Sequence, residues 1–260
     1  MKIGCIFTAF NMEEYLADSL FPWTQARANH LDGHEFVIAA VSVPFEGFPD
    51  EGVDGTQSSL RVYEREGSID WLLSHQTPMK ETEARGAALK WLVEQAKVDI
   101  LVQVDSDEFY RSQDISAIIG LVQANPFITA FQLSLRNAVF TTDQYLAEPF
   151  TPMRIHRVVS GPWRAASFWD DNNVMYTDPS TGCNLRDVHF STMIVPSTIA
   201  WIKHNSWINN MRSKKKISYQ LDGRGWSACS FSWDDTRGGL VFNESYFAAR
   251  GLSLPAVLHD

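Results

Sequence analysis

The chain has 260 residues and a formal net charge of −9, and 45% of its residues are hydrophobic, including 9 Trp and 16 Phe. This size and composition exclude a disordered chain and predict one large core, in one elaborated domain or two small ones. The acidic balance argues against broad, charge-driven binding to nucleic acid or anionic membranes, which depends on clustered Lys and Arg.

The N-terminal apolar run is short. MKIGCIFTAF is followed by Asn11 and two glutamates, too early for a signal peptide or a membrane span. We therefore expect a cytoplasmic protein without a membrane span. Cys5, Cys183 and Cys229 are odd in number and widely spaced, which favours neither a disulfide framework nor a structural zinc site.

Residues 2 to 8 are rich in β-forming apolar residues and predict a strand. A helix follows, because the next apolar residues are spaced along one helical face: Met12, Tyr15, Leu16, Ser19 and Leu20. Asn11 is the expected N-cap of this helix, and Glu14, three residues later, completes an arrangement similar to a capping box.

The next elements alternate in the same way. Residues 36 to 43 predict a second strand closed by Pro44, and the stretch to about Ser68 is predicted to be a loop rich in Gly and Asp. Apolar residues then recur at helical spacing over residues 78 to 96. The run from residue 100 to 104 predicts a buried strand.

A further helix is predicted over residues 112 to 124 and a strand over 127 to 135. Such alternation indicates a mostly parallel sheet with helices on both faces, whose ligands bind beyond the carboxyl ends of the strands. The loops after Thr8 and Val104 are therefore the expected sites. Beyond residue 150 the pattern gives short strand-like pieces and one helix from about Ser206 to Gln220.

The strongest local signal lies at the end of the strand over residues 100 to 104. This strand ends in Asp105, Asp107 and Glu108, three carboxylates within four residues. Their mutual repulsion is relieved by a divalent cation, and Mg²⁺ or Mn²⁺ is satisfied by one or two carboxylates with phosphate oxygens and water. The pattern thus favours a nucleotide diphosphate site over the alternative, an acidic surface turn that caps the next helix.

With these motifs the chain resembles family 2 glycosyltransferases and their GT-A relatives. The resemblance is carried by the loop from Thr8 to Glu14 after the first strand and by the later D-x-D of Asp105 and Asp107. The segment from Glu83 to Leu89 is similar to the helix before the metal strand, with Arg85 where the family reaches the donor. Gly86 stands where the family usually has Asn. The likeness covers about residues 1 to 135.

The resemblance implies an α/β fold of the GT-A, Rossmann-like type, with a mostly parallel sheet flanked by helices and an irregular α+β C-terminal acceptor region. Residues 1–135 would form the nucleotide-sugar-binding half, and residues 136–260 the half of the same domain that binds the acceptor and completes the metal site. The implied activity is metal-dependent, inverting glycosyl transfer from a UDP- or GDP-linked sugar with Mn²⁺ or Mg²⁺.

The resemblance also implies site residues. Donor contacts are expected from Thr8, Ala9, Phe10, Asn11, Glu13, Asp70, Arg85, Asp105 and Ser106. Asp105 and Asp107 would hold the metal, with His204 as the favoured third ligand and His189 as the runner-up. Structural roles compete for two of these residues, since Asn11 suits an N-cap and Glu13 suits the positive end of the helix dipole. Asp54 is a further candidate for the base or ribose.

An inverting transferase needs a carboxylate base opposite its leaving group. Asp170 and Asp171 are the expected bases because Phe168-Trp169-Asp170-Asp171 places an aromatic platform beside two acids, and Trp163 could add a second stacking surface. Asp234 and Asp235 stand in a run of the same composition, and acidic surface loops explain both runs equally well. The basic residues from Arg212 to Lys216 suit a solvated helix face or a phosphate contact.

Other functions remain open at this stage. A nucleotidyltransferase or a metal-dependent phosphohydrolase also places paired acids at strand ends, although the sequence has neither GxGxxG after its first strand nor GxxxxGK[ST]. A carbohydrate-binding module would suit the 9 Trp but leaves the acidic strand end unexplained. The acceptor is unidentified: a glycan, or a modified nucleic-acid base contacted through the Arg212 to Lys216 segment.

Overall fold

A computed structural model gives the conformation of most of the chain. The described residues are 1–48, 54–147, 150–159, 165–168, 173–178, 180–181, 183–186, 191–208, 210–223 and 229–259. Within these ranges, none of the helices combines the length and the apolar character that a bilayer crossing requires.

Strands and helices alternate in the first part of the chain. The elements are β1 (Lys2–Thr8), α1 (Glu13–Ala28), β2 (Glu35–Ser42), α2 (Thr56–Arg65), β3 (Trp71–Ser74), α3 (Glu81–Trp91), β4 (Ile100–Asp105), β5 (Glu108–Phe109) and α4 (Ser112–Ala124).

Short strands dominate the second part. They are β6 (Ala130–Gln132), β7 (Leu135–Phe140), β8 (Gln144–Leu146), β9 (Met153–Arg157), β10 (Ala165–Phe168), β11 (Val174–Thr177), β12 (Asn184–Arg186), β13 (Thr192–Ile194), β14 (Ile202–Ile208), β15 (Phe231–Asp234), β16 (Gly239–Phe242) and β17 (Val257–His259). Two helices accompany them, α5 (Met211–Ser218) and α6 (Glu244–Ala248).

The main sheet has the strand order β13-β6-β9-β4-β1-β2-β3 in the described part of the chain. Its neighbouring strands run parallel except where β9 pairs antiparallel with β4 and β6. Successive residues of β1 point to opposite faces: Cys5 packs with residues of α1 and α4, whereas Ile6 packs with residues of α3. The predicted α/β class, a mostly parallel sheet flanked by helices, is confirmed.

A second sheet has the order β17-β8-β7-β14-β5 among the described residues. Its edge strand β5 follows β4 of the main sheet after only Ser106 and Asp107, so the acidic turn joins the two sheets. The expected division at residue 135 does not follow a sheet boundary, because β9 and β13 of the main sheet lie beyond it.

Several local predictions are wrong. The stretch before Ser68 contains α2, which buries Leu60 although its sequence is mostly polar. The C-terminal helix begins at Met211 rather than Ser206, because residues 202–208 form β14 between β7 and β5. The predicted strand over residues 127 to 135 is confined to β6, and β7 begins where it was expected to end.

Asn11 is not the N-cap of α1. That position belongs to Met12, and Asn11 adopts the left-handed region with a φ of 52°. The backbone N–H of Met12 donates to Oγ1 of Thr56 (2.8 Å), and that of Glu13 donates to Oδ2 of Asp54 (2.9 Å). The start of α1 is thus capped by residues at the start of α2.

Candidate active site

The carboxyl ends of β1 and β4 meet at one edge of the main sheet. Thr8 and Asp105 are register partners, and the N–H of Ser106 donates to the carbonyl of Thr8 (2.9 Å). A cavity of about 590 Å³ opens beyond these strand ends. Ligands of open, parallel α/β sheets bind at such an edge.

Asp105 lies between two arginines. One carboxylate oxygen is 2.5 Å from Nη2 of Arg85, which also pairs with Glu81 at 2.9 Å, and the other is 3.0 Å from Nη2 of Arg154. Arg85 comes from α3 and Arg154 from the antiparallel strand β9. Asp105 therefore links β4 to the helix α3 and to the neighbouring strand β9.

Glu108 is fully buried beneath the acidic turn. Its Oε1 accepts from Nη2 of Arg154 at 2.6 Å, and its Oε2 accepts from the Tyr110 hydroxyl at 3.2 Å. Burial raises the pKa of Glu108, and the Arg154 guanidinium opposes that shift. Burial lowers the pKa of Arg154, but the carboxylates of Glu108 and Asp105 outweigh it and hold this pKa above its usual value. The pair is a buried ion pair with additional hydrogen bonds.

Asp107 faces His204 across the junction of the two sheets. Glu108 of β5 pairs with His204 of β14, and the N–H of Asn205 donates to the carbonyl of Asp107 (2.9 Å). This pairing places Nε2 of His204 3.5 Å from Oδ1 of Asp107. On its other side, Nδ1 of His204 lies 2.6 Å from Oδ1 of Asn137, so Nδ1–H donates a hydrogen bond to the amide oxygen, which orients the ring.

Electrostatics keep Asp107 ionised. Burial is the largest single influence on its pKa and raises it, but the charge and hydrogen bond of His204, together with Lys216 and Arg212, lower it by more in sum, so that the pKa of Asp107 lies well below its usual value. The side chain is 16% exposed and faces the cavity. It is thus a carboxylate that a cation could reach.

Two residues of this site suit a divalent cation. In the described part of the chain, no group of three or more His, Cys, Asp or Glu could hold a metal by itself. Asp107 and His204 supply two ligand atoms 3.5 Å apart, within the separation of about 4 Å that two ligands of one small cation can span. Mg²⁺ is commonly bound through one or two carboxylates and completes its shell with phosphate and water, so the imidazole of His204 would take the place of a second carboxylate here. The residues therefore fit a cation that is shared with a phosphorylated ligand.

Helix α5 brings positive charge to the opposite wall. Arg212 and Lys216 line the cavity, and Nη1 of Arg212 donates to the carbonyl of Asn11 at 3.0 Å. Lys214 instead pairs with Asp235 outside the cavity wall at 2.6 Å. The basic segment from Arg212 to Lys216 is thus divided, with two of its four basic side chains, those of Arg212 and Lys216, at the site.

Comparisons with known proteins give partial similarities to solved structures at low identity. Neither a protein-family model nor a curated protein sequence matches the chain.

Among solved structures, S. aureus TarS is similar with 17% identity over 60% of this chain and 28% of that chain, at a TM-score of 0.41. Its fragment 1–349 in complex with UDP shows 17% identity over 60% of this chain and 47% of that chain, again with a TM-score of 0.41. A glucosyl-3-phosphoglycerate synthase from Mycobacterium tuberculosis, in complex with Mn²⁺, UDP and phosphoglyceric acid, shows 15% identity over 52% of this chain and 43% of that chain. The TM-score is 0.35. The chain thus spans less than half of each of these three chains.

The structure brings many of the predicted site residues to the cavity. Its lining includes Thr8, Phe10, Arg85, Asp105, Ser106, Asp107 and His204. The side chain of Asp105, expected to hold the metal, is engaged by arginines. Ala9 is buried, and its N–H continues the sheet by donating to the carbonyl of Val41 (2.9 Å).

Asp70 lies away from the strand ends where the cavity opens. It precedes β3, pairs with Arg27 at 2.7 Å and accepts from the N–H of Ile38 at 2.8 Å. Asn11 and Glu13 contact the start of α2 instead of forming part of the cavity wall.

The expected bases belong to a part of the chain that the structure does not describe. Asp170, Asp171, Trp163 and His189 lie outside the described residues. Of the alternative acids, Asp234 accepts from the N–H of Thr236 (2.8 Å) in a turn, and Asp235 pairs with Lys214.

Arg154 and Asn137 were not anticipated from the sequence. A weak signal for Arg154 exists, because a charged residue between the apolar Met153 and Ile155 requires a partner if the strand is buried. Asn137 carries no such signal, since a polar residue in a short strand is common at a surface.

Proposed function

We propose that the chain is a glycosyltransferase that moves a sugar from a nucleotide-diphosphate sugar to a hydroxyl acceptor, with Mn²⁺ or Mg²⁺ as its cation. The supporting observation is the pair of Asp107 and His204, which faces the same cavity as Arg212 and Lys216. Such a site offers two ligands to a cation and two positive side chains to phosphates. The donor would be linked to UDP or GDP.

In this proposal each group has a separate role. A bound cation would stabilise charge on the leaving diphosphate. Asp107 and His204 would hold that cation, and Arg212 and Lys216 would face the phosphates, where fixed positive charge favours the departing anion. Asp105 would hold Arg85 and Arg154 in place, since both arginines already contact its carboxylate.

The acceptor side is also part of the proposal. Residues 1–135 would hold the donor, and residues 136–260 would complete the metal site and bind the acceptor. If the transfer inverts the anomeric centre, Asp170 or Asp171 would take the proton of the acceptor hydroxyl.

A transfer screen by mass spectrometry tests the proposal. Purified chain is incubated with UDP- and GDP-linked sugars and Mn²⁺, with and without glycan or hydroxymethylated-base acceptors. We expect the wild-type chain to release the nucleoside diphosphate in the presence of metal. The Asp107→Asn variant should lose this activity. Asp18→Asn, at an exposed aspartate of α1, is the matched control and should retain activity.

Other outcomes would contradict the proposal. Full sugar transfer by Asp107→Asn would exclude the role given to that carboxylate. If the chain binds free glycans but neither binds nor turns over nucleotide sugars, it is a carbohydrate-binding module. If it transfers the nucleotidyl group instead of the sugar, it is a nucleotidyltransferase.

A further inference from the structure

The loop after β1 is fastened to the start of α2 by hydrogen bonds in both directions. The N–H groups of Met12 and Glu13 donate to the side chains of Thr56 and Asp54. In return, the N–H of Gly55 donates to Oε2 of Glu13 (3.0 Å). We refer to Glu13, Asp54, Gly55 and Thr56 as the loop lock.

Asp54 has both of its oxygens engaged within this arrangement. Oδ2 accepts from the N–H of Glu13 and Oδ1 from the N–H of Thr56 (2.8 Å). The N–H of Asp54 in turn lies 3.3 Å from Oδ1 of Asn11. This carboxylate is therefore a connector between two backbone segments.

A side chain at position 55 would displace the Glu13 carboxylate, although the backbone conformation of Gly55 suits any residue. Its φ of −73° is open to any residue, but a Cβ at this position would lie 2.0 Å from Oε1 of Glu13. Contacts below 3.0 Å force a shift of one partner, and here the partner that yields is the end of the flexible Glu13 side chain, which can move away at little cost. The carboxylate of Glu13 thus occupies the space that a side chain at position 55 would need.

The locked loop forms part of the cavity wall. Phe10 and Met12 line the cavity beside Thr8, and Arg212 of α5 donates to the carbonyls of Phe10 (3.4 Å) and Asn11 (3.0 Å). The loop is consequently held from α2 on one side and from α5 on the other. A change in the loop lock would move Phe10 and Met12.

We propose that Glu13 is a positioning residue, which sets the donor-binding loop through the backbone of Gly55 without contacting the donor. The expected effect on the KM for the nucleotide sugar rests on the proposed function. The hydrogen bonds of the loop lock are present in the structure whatever the activity of the chain is.

A double-mutant cycle with Gly55 tests this role. Glu13→Ala should raise the KM for the nucleotide sugar by roughly three- to tenfold, the order of one ordinary, solvent-exposed hydrogen bond, with kcat within about twofold. Gly55→Ala should have a comparable effect alone, because its Cβ displaces Glu13. In the Glu13→Ala background, Gly55→Ala should add less than about twofold, since the clash is gone.

Two further variants separate positioning from general stability. Glu13→Gln keeps an oxygen acceptor for the Gly55 N–H and should recover most of the donor affinity. Glu14→Ala removes the other acid of the same helical turn. It should leave KM unchanged, although it weakens the favourable interaction with the helix dipole equally.

Amide hydrogen exchange provides a readout that needs no turnover. Glu13→Ala should speed exchange at Gly55 and Met12, whereas Glu14→Ala should not. If the wild-type chain is inactive with every nucleotide sugar, the proposed function is refuted. The exchange rates at Gly55 and Met12 would still decide whether Glu13 holds the loop in place. Unchanged exchange at Gly55, or equal effects of Gly55→Ala in both backgrounds, would overturn the inference.

Discussion

Asp107 and His204 meet because two sheets share one tight turn. β4 ends at Asp105, β5 begins at Glu108, and β14 pairs with β5 so that His204 lies opposite Glu108. The buried pair of Glu108 and Arg154 holds this turn from below. The positions of the two candidate ligands are therefore set by backbone pairing and a buried ion pair, before any ligand binds.

Asn137 should strengthen metal binding without being a metal ligand itself, because it orients the ring of His204. Asn137→Ala removes the acceptor for Nδ1 of His204, so we expect Mn²⁺ affinity, measured with a nucleoside diphosphate present, to fall about 10- to 100-fold. Asn137→Asp keeps an acceptor oxygen and should retain the affinity. Wild-type affinity in the alanine variant would show that the ring needs no such support.

Part of this site could be predicted from the sequence. The D-x-D at a strand end predicted the location of Asp105 and Asp107, because ligands of parallel sheets bind at carboxyl strand ends. It could not predict that Arg85 and Arg154 would engage Asp105, since β9 is brought beside β4 by pairing over a long sequence distance. Local periodicity contains no information about such pairing.

At the scale of elements, α1 carries a proline in its interior. Pro22 is the tenth residue of this 16-residue helix, which packs Leu16, Leu20 and Trp23 into the core. A proline there cannot donate a helical hydrogen bond and crowds the preceding turn. The helix is retained because its buried face packs against the main sheet.

Pro22→Ala should stabilise the protein. Restoring a helical hydrogen bond should raise the free energy of unfolding by about 1–3 kcal/mol, measured by urea denaturation. Phe21→Ala is the matched control, since Phe21 is 61% exposed and its truncation should change stability by less than about 0.5 kcal/mol. A destabilised Pro22→Ala would mean that the bend is needed for packing.

The elements themselves were predictable where their apolar periodicity was strong. α4 and β1 lie at their predicted bounds, and β2 and β4 within one residue of theirs. α2 was missed because few of its residues are apolar: it buries Leu60 and the polar Thr56 and Gln57. The bounds of α5 were misjudged because β14, directly before it, is also rich in polar residues.

At the scale of the whole molecule, a buried thiol makes stability fall at alkaline pH. Burial raises the pKa of Cys5 far above its ordinary value of 9.0, with a further contribution from Glu108. Above pH 9 the unfolded chain loses this proton while the folded chain keeps it. Fewer protons are then bound in the unfolded state, so stability falls by up to about 1.4 kcal/mol per pH unit for this group.

Cys5→Ala should therefore flatten the alkaline limb of the stability curve. Urea denaturation between pH 8 and about pH 10.5 should show a shallower decline, whatever the variant loses at neutral pH through its smaller side chain. Cys183→Ala, at an exposed cysteine, should leave the decline unchanged. An identical slope in Cys5→Ala would show that this thiol ionises in the folded protein.

Binding of nucleoside diphosphate and binding of metal should depend on each other, because Asp107 and His204 provide only part of a coordination shell. Calorimetric titration of UDP and GDP into the chain, with Mn²⁺ or with a chelator, measures this coupling directly. The account predicts that Mn²⁺ tightens Kd for one of these nucleotides by at least about tenfold, and that Asp107→Asn abolishes the gain. Equal Kd values with metal and with chelator, or an undiminished gain in Asp107→Asn, would contradict it.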